Sequence, residues 1–422
     1  MLSATIDLAG QGSRSRDQAY LIGRERYVTS SPGFVDAVAR AHGEHRHPRC
    51  LCRPDGVEMY IARLASPNDG FIVKRMPESG HLHAPDCPSY EPPAELSGLG
   101  QVLGSAIVED PATGLITLKL DFPLTKRLGR SAMPPAGSEH DSARSDGTRL
   151  SLRGLLHYLW DQADLTRWHP GFAGRRSWST VRRHLLNAAD HKVARGDPLR
   201  ARLYIPEAFS VDQRDVLNAR RLAHWSRAQP RPGQPTQRLV LIGEVKEIVP
   251  ARYGHKAIIK HLPDQAFALD ATLYQRLERR FEAQLSLWGA TDDLHMMAIA
   301  TFCLNQAGVP TIDELSLMPV TSQWLTIDDG FDLQLTTRLV NDRRSFIKPL
   351  RYNLQTSEIL PAALLIDCKD RPTAVCIERG GRHAVQDRSI AVNGACAGTS
   401  TWWWRAAEET MPPLPSSGWE AS

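Results

Sequence analysis

The residues between His45 and Tyr90 carry the most explicit chemistry in the sequence. The stretch opens His-Arg-His-Pro-Arg-Cys-Leu-Cys and closes His-Leu-His-Ala-Pro-Asp-Cys-Pro, and it holds three of the chain's 7 cysteines, Cys50, Cys52 and Cys87. Thiolate and imidazole are the usual ligands of zinc, which takes four of them in a tetrahedron. Cys50, Cys52, His83 and Cys87 supply that set, with His81 or His47 as the substitute for His83. The spacing His-x3-Cys suits a first helical turn, where residues four apart share a face. Cys-x-Cys serves if the pair sits at a bend, and Pro48 and Pro54 flank it. Four protein ligands leave no open position, so the site reads as structural zinc and not a catalytic metal. Ordinary buried thiols beside surface histidines are the weaker reading of so tight a cluster in a reducing compartment.

Positioning these ligands requires a hairpin between Cys52 and His83. Residues 57–64 and 71–76 are strand-like, and Ser66-Pro67-Asn68-Asp69-Gly70 between them has the composition of a hairpin loop. Upstream, residues 20–27 read as one short strand. Ser31-Pro32 reads as a helix start, with Phe34, Val38 and Ala41 on one apolar stripe ending at Gly43. A module this small cannot hold itself by burial alone, so its folding is expected to depend on the metal.

A chain of 422 residues is expected to form two or three domains. Hydrophobic residues make up 42% and charged residues 23%, as in a globular protein. No apolar run of about 18 residues is present, which excludes a transmembrane helix. The polar N-terminus lacks the apolar core of a secretory signal, so a cytoplasmic location is expected. The net charge of +4 is uneven. Residues 144–231 hold 17 Lys/Arg against 8 Asp/Glu, or +9, which leaves +4 − 9 = −5 elsewhere. An arginine-rich middle predicts a phosphate-bearing partner, although a general use of Arg in place of Lys would give the same bias.

Two amphipathic helices are expected in that middle. Leu152, Leu155, Leu156, Leu159 and Trp160 follow Ser151, and Trp178, Val181, Leu185 and Leu186 make the second stripe. The connection between them is too long for a helix-turn-helix. Arg175, Arg176, Trp178, Arg182 and Arg183, with Trp168 and His169, form the candidate nucleic-acid surface. The alternative places the tryptophans in the core and the arginines on a solvated face. A third helix is expected over 212–227. Further on, strands over 239–249 and 255–262 precede a helix over 271–288 and strands over 295–304 and 315–324. Glu244, Lys246, Glu247, Lys256 and Lys260 read as one polar sheet face paired across strands.

The order helix (331–340), strand (346–352), strand (360–366), strand (374–377) resembles the start of a restriction-endonuclease-like core. That resemblance implies an acidic residue on the helix and metal-binding carboxylates on the next strands. Asp332 fits the first, but Ala362 stands where the metal-binding aspartate belongs, and Val375-Cys376-Ile377 replaces the third-strand motif. Asp367 and Glu378 are the nearby carboxylates. The region therefore reads as a core that keeps the shape without the metal site. No phosphate loop, Gly-x-Ser-x-Gly or His-Glu-x-x-His is present.

Several strings belong together: Arg53-Pro54-Asp55-Gly56-Val57-Glu58-Met59-Tyr60, His83-Ala84-Pro85-Asp86-Cys87-Pro88, Gly243-Glu244-Val245-Lys246-Glu247 and Lys348-Pro349-Leu350-Arg351-Tyr352-Asn353. On these the chain resembles an uncharacterised bacterial family, Domain of Unknown Function 1173, from about Tyr20 to Ile377. The resemblance implies a setting on plasmids and integrative elements of proteobacteria and carries over no residue role.

The expected fold is α+β and multidomain: a small zinc-stapled β-hairpin module, a basic helical middle, and a mixed α/β C-terminal region resembling a degenerate restriction-endonuclease-like core. The expected division is a disordered leader (1–18), zinc-binding module (19–125), linker (126–147), basic helical region (148–228), linker (229–236), α+β central region (237–325), degenerate nuclease-like region (326–380) and flexible tail (381–422). The expected function is a non-enzymatic, zinc-containing accessory protein of a mobile genetic element, with DNA and other mobile-element proteins as partners and no membrane. The alternatives are a nuclease using Asp332, Asp367 or Glu378 in a non-standard arrangement, and a protein-interaction scaffold.

Overall fold

A computed structural model describes residues 17–63, 70–126, 147–355, 358, 360–380 and 398–418. The Ser66–Gly70 loop up to residue 69, most of the 126–147 linker, the leader up to residue 16 and the tail segments 381–397 and 419–422 lie outside the described residues.

The N-terminal module is a five-stranded sheet in the order Glu25–Val28, Ala19–Ile22, Arg49–Cys50, Val57–Arg63, Phe71–Arg75. The single strand expected over 20–27 is instead a hairpin, because Gly23 turns the chain at φ 64. Helix Phe34–Gly43 lies on this sheet and buries Phe34, Ala37, Val38 and Ala41 at helical spacing. It starts without a side-chain cap: Ser31 Oγ accepts the Val28 N–H and closes the preceding turn, and Gly33 at φ 81 leads into the helix.

Helices Leu152–Gln162 and Trp178–Ala188 form where their apolar stripes predict. Ser151 caps the first by accepting the Gly154 N–H, and Ser177 caps the second through the Thr180 N–H. A third helix spans Arg214–Trp225.

Five strands then close on themselves. The first, Leu239–Pro250, pairs antiparallel with the second, His255–Ile259, which pairs antiparallel with the third, Ala266–Leu269. The third runs parallel to the fifth, Pro310–Thr321, at Ala268↔Thr311. The fifth pairs antiparallel with the fourth, Leu294–Leu304, and the fourth returns to the first through Ile299↔Ile242. The circuit 1-2-3-5-4-1, with helical connection between the third and fourth strands, has the topology of an OB-fold barrel. The single helix expected over 271–288 is two, Ala271–Arg280 and Glu282–Ala290. The break falls at Phe281, whose buried ring joins the barrel core.

The interior of the barrel holds Leu241, Val245, Phe267, Ala298, Phe302 and Leu317. Alternation puts Val240, Ile242, Met297, Ile299, Met318 and Val320 on its outer wall. These are buried too, packed in one core with Leu155, Leu156 and Trp160 of helix Leu152–Gln162. The outer face of the second and third strands is left with Lys256 exposed and Ile258, Ala266 and Ala268 half-buried. The expected polar face is thus divided: Lys246 and Lys256 are exposed, whereas Glu244 is buried and accepts hydrogen bonds from His295 Nδ1 at 2.7 Å and from Lys260 Nζ.

The C-terminal sheet runs Ser400–Arg405, Thr373–Glu378, Ala363–Leu365, Phe346–Ile347, Arg167–Trp168. Its edge strand Arg167–Trp168 comes from the helical middle. Its other edge comes from the segment expected to be a flexible tail, where Ser400–Arg405 pairs in parallel with Thr373–Glu378 and buries Trp404. The strand expected over 346–352 stops at Ile347, and Lys348 turns its ammonium to Asp332 and Thr336 on helix Gly330–Asn341. One face of the sheet packs that helix through Phe346, Leu365, Val375 and Ile377 against Leu335 and Leu339. The other packs the N-terminal module through Ile347, Leu364, Ala374 and Cys376.

Candidate metal centre

Cys50 ends the short strand Arg49–Cys50, held between Tyr20 and Val57. Cys52 lies in the turn that follows. Gly56 at φ 66 shapes that turn, and the Arg49 guanidinium donates to the Asp55 and Gly56 carbonyls across it. His83 follows the 3-10 turn Gly80–Leu82, and Cys87 closes a turn by donating its N–H to the Ala84 carbonyl. Gly80 is required there, since a Cβ would come within 2.5 Å of Glu91 Cβ.

These turns bring the ligand atoms of Cys50, Cys52, His83 and Cys87 within 4.8 Å of one another. Cys50 Sγ and Cys87 Sγ are 3.8 Å apart, and His83 Nδ1 lies 3.3 Å from Cys52 Sγ and 3.7 Å from Cys87 Sγ. A zinc tetrahedron with Zn–S of about 2.3 Å and Zn–N of about 2.0–2.1 Å has edges of roughly 3.6–3.8 Å. The set therefore has the size of a coordination shell. A second layer supports it. Gln18 Nε2 donates to Cys50 Sγ and Ser89 Oγ, and the N–H groups of Ala84 and Ser89 donate to Cys52 and Cys87.

Without a cation, three crowded thiols cannot all ionise. The hydrogen bond from Cys87 draws the Cys50 thiol down to about 3, the same bond pushes Cys87 up, and burial pushes Cys52 up. A divalent cation would remove that conflict, because coordinated thiols lose their protons. The alternative histidines are excluded by position: His81 is exposed, and His47 is exposed and bonded to Glu58 at 2.5 Å.

The predicted nucleic-acid residues do not share one surface. Trp178 is buried and donates Nε1–H to the Pro206 carbonyl. Arg176 donates to the carbonyls of Leu165, Arg167 and Gln323 and lies over the rings of Trp168 and Phe172. These two are structural supports. Arg182 donates to the Ile205 carbonyl, whereas Arg175 and Arg183 are exposed.

Nor do the C-terminal carboxylates gather. Asp332 is buried against Lys348, Asp367 is held by Arg344 at 2.7 Å, and Glu378 faces Arg405 at 3.6 Å. Among the described residues, the cysteine–histidine set is the one group of three or more such side chains that comes together as a metal site. No helix among them is long and apolar enough to cross a membrane.

Fold and site together define a mixed α/β protein of several sheets with a cysteine–histidine centre that could hold a metal ion. Residues 20–407 match the family described as a protein of unknown function (DUF1173), and the chain belongs to that family. The match extends through the tryptophan strand Ser400–Arg405. No curated protein and no solved structure matches the chain.

Proposed function

We propose that this protein is a zinc-stapled, non-enzymatic accessory protein that associates with nucleic acid, acting in the cytoplasm in the service of a mobile genetic element. Cys50, Cys52, His83 and Cys87 would hold the zinc, and four protein ligands make its contribution structural. The observation that supports the nucleic-acid reading is the barrel: OB-type barrels bind oligonucleotides on the face of their second and third strands, and here, among the described residues, that face is only partly covered, with Lys256 exposed and Ile258, Ala266 and Ala268 half-buried. Helix Gly330–Asn341 and the strands after it follow the order of a nuclease-like core. The carboxylates Asp332, Asp367 and Glu378 each face a protein cation there, which favours a core without metal chemistry.

The test is one experiment on the zinc-loaded protein, combining a gel shift over a range of salt with a cleavage assay in magnesium or manganese. Salt-sensitive retention without cleavage is the expected result. Metal-dependent cleavage would overturn it in favour of a nuclease, and neither retention nor cleavage would favour a protein-interaction scaffold.

A further inference from the structure

A groove of about 600 Å3 opens between helix Trp178–Ala188, strand Leu203–Tyr204, helix Arg214–Trp225 and the loop joining the second and third barrel strands. Six arginines line it: Arg182, Arg200, Arg214, Arg220, Arg221 and Arg227. Glu207 and Asp264 are the acids among its lining residues. The acids pair with the outermost cations, Arg220–Glu207 at 3.0 Å and Arg214–Asp264 at 3.1 Å, where both arginines are about 60% exposed. Such exposed pairs are weak and exchangeable for a stronger anion.

Deeper in, Arg221 is only 8% exposed and lies over the Trp225 ring. Its Nη2 bonds Asn218, but its Nε is buried with no hydrogen-bond partner among the described residues, and the same holds for His224 Nε2. Both atoms are closed to solvent and do not themselves meet a ligand, but they leave the Arg221 guanidinium beneath the groove with no protein carboxylate beside it among the described residues. Half-buried Tyr204 and Phe209 add ring faces to the same lining.

We propose that this groove holds the phosphodiester backbone of one strand of nucleic acid against the loop that joins the second and third strands of the barrel, off the face formed by Lys256, Ile258, Ala266 and Ala268. The proposal rests on the nucleic-acid reading above and gives it a site. The volume is that of a small-ligand cleft, which admits a single strand and keeps a duplex at the rim. Arginine supplies the fork geometry for phosphate oxygens, and an aromatic among cations is the stacking platform that single strands use. The arginines converge from three separate chain segments, which is why the linear sequence pointed to one of them, Arg182, and otherwise to Arg175, Arg176 and Arg183, which are not among the lining residues.

The test measures fluorescence anisotropy of a labelled single-stranded oligonucleotide with the full-length, zinc-loaded protein, against the duplex of the same sequence and against free nucleoside triphosphate as competitor. Arg214→Ala/Arg220→Ala is expected to weaken single-strand binding about tenfold and to reduce the salt slope by roughly 1.4, or about 0.7 for each phosphate no longer neutralised. Arg214→Lys/Arg220→Lys is expected to keep most of the affinity, and both variants to keep the wild-type melting temperature. Wild-type binding that is unchanged in the alanine pair but lost in Arg175→Ala/Arg183→Ala overturns the groove and leaves the functional reading standing. Preference for duplex, or equal competition by the free nucleotide, overturns the single-strand assignment. Absence of any nucleic-acid binding by the wild type overturns both.

Discussion

The C-terminal sheet has two faces, and what covers them differs in how charge is balanced. On one face sits the cysteine module, where three thiols and an imidazole meet without a protein cation among them. On the other sits helix Gly330–Asn341, where each acid has its own cation: Asp332 with Lys348, Asp328 with Arg351, Asp329 with Arg379. Converging ligands with no internal counter-charge make a set that could hold a metal ion, whereas converging acids with built-in cations make a polar core. The difference lies in where the counter-charge comes from and not in the number of ligating side chains.

The largest way to break this contrast is to remove the metal ligand. Cys52→Ser is expected to lose about one zinc per chain, and with it coupled folding energy on the order of 10 kcal/mol. Elemental analysis and hydrogen exchange over residues 19–90 read the result, and a wild type that is folded and metal-free would refute the site. On the opposite face, Lys348→Met leaves Asp332 buried and unpaired, since burial holds its carboxyl above the ordinary value even with the ammonium beside it. A loss of about 3–5 kcal/mol in urea unfolding is expected, and the double variant Lys348→Met/Asp332→Leu should recover most of it. A double variant as unstable as the single one would contradict the pairing.

A smaller effect concerns protons. His157 is buried, and its Nδ1 accepts the Tyr352 N–H at 2.9 Å, so the ring must be neutral. Burial lowers its pKa from 6.5 to about 3. The unfolded chain therefore takes up a proton first as pH falls, and this stability is whole above about 6.5 and drains away down to about 3. By pH 5 the loss amounts to about 2 kcal/mol. His157→Gln should flatten that part of the pH profile relative to wild type, and an unchanged slope would count against it. At the small end, Arg175→Ala and Arg183→Ala should move thermal stability by no more than about 0.5 kcal/mol, because both side chains are exposed.

That Cys50, Cys52, His83 and Cys87 would cluster was legible because the signal is local: residue type, short spacings and flanking prolines are all visible along the chain. Helices with a clear stripe and a serine cap, such as Leu152–Gln162 and Trp178–Ala188, were equally plain. The barrel was legible only in parts. Four of its five strands could be read from periodicity, but the third, Ala266–Leu269, and the helix break at Phe281 could not, and closure depends on the parallel meeting of Ala268 with Thr311 and the return of Ile299 to Ile242, which no local pattern encodes. Ser400–Arg405 was missed for a related reason. Three tryptophans in glycine- and serine-rich surroundings do not announce a strand until Thr373–Glu378 is there to pair with it. Arg176 and Trp178 looked like a contact surface because charge and aromaticity are legible in sequence and burial is not.

The make-up of the C-terminal sheet also sets an order of events during synthesis. Its strands are drawn from Arg167–Trp168 at one edge to Ser400–Arg405 at the other, so it cannot be completed until translation has passed residue 405. The cysteine module emerges from the ribosome hundreds of residues earlier, with the apolar face it will lay on that sheet still uncovered. In that interval a cation held by Cys50, Cys52, His83 and Cys87 would keep the module in shape before its neighbour exists.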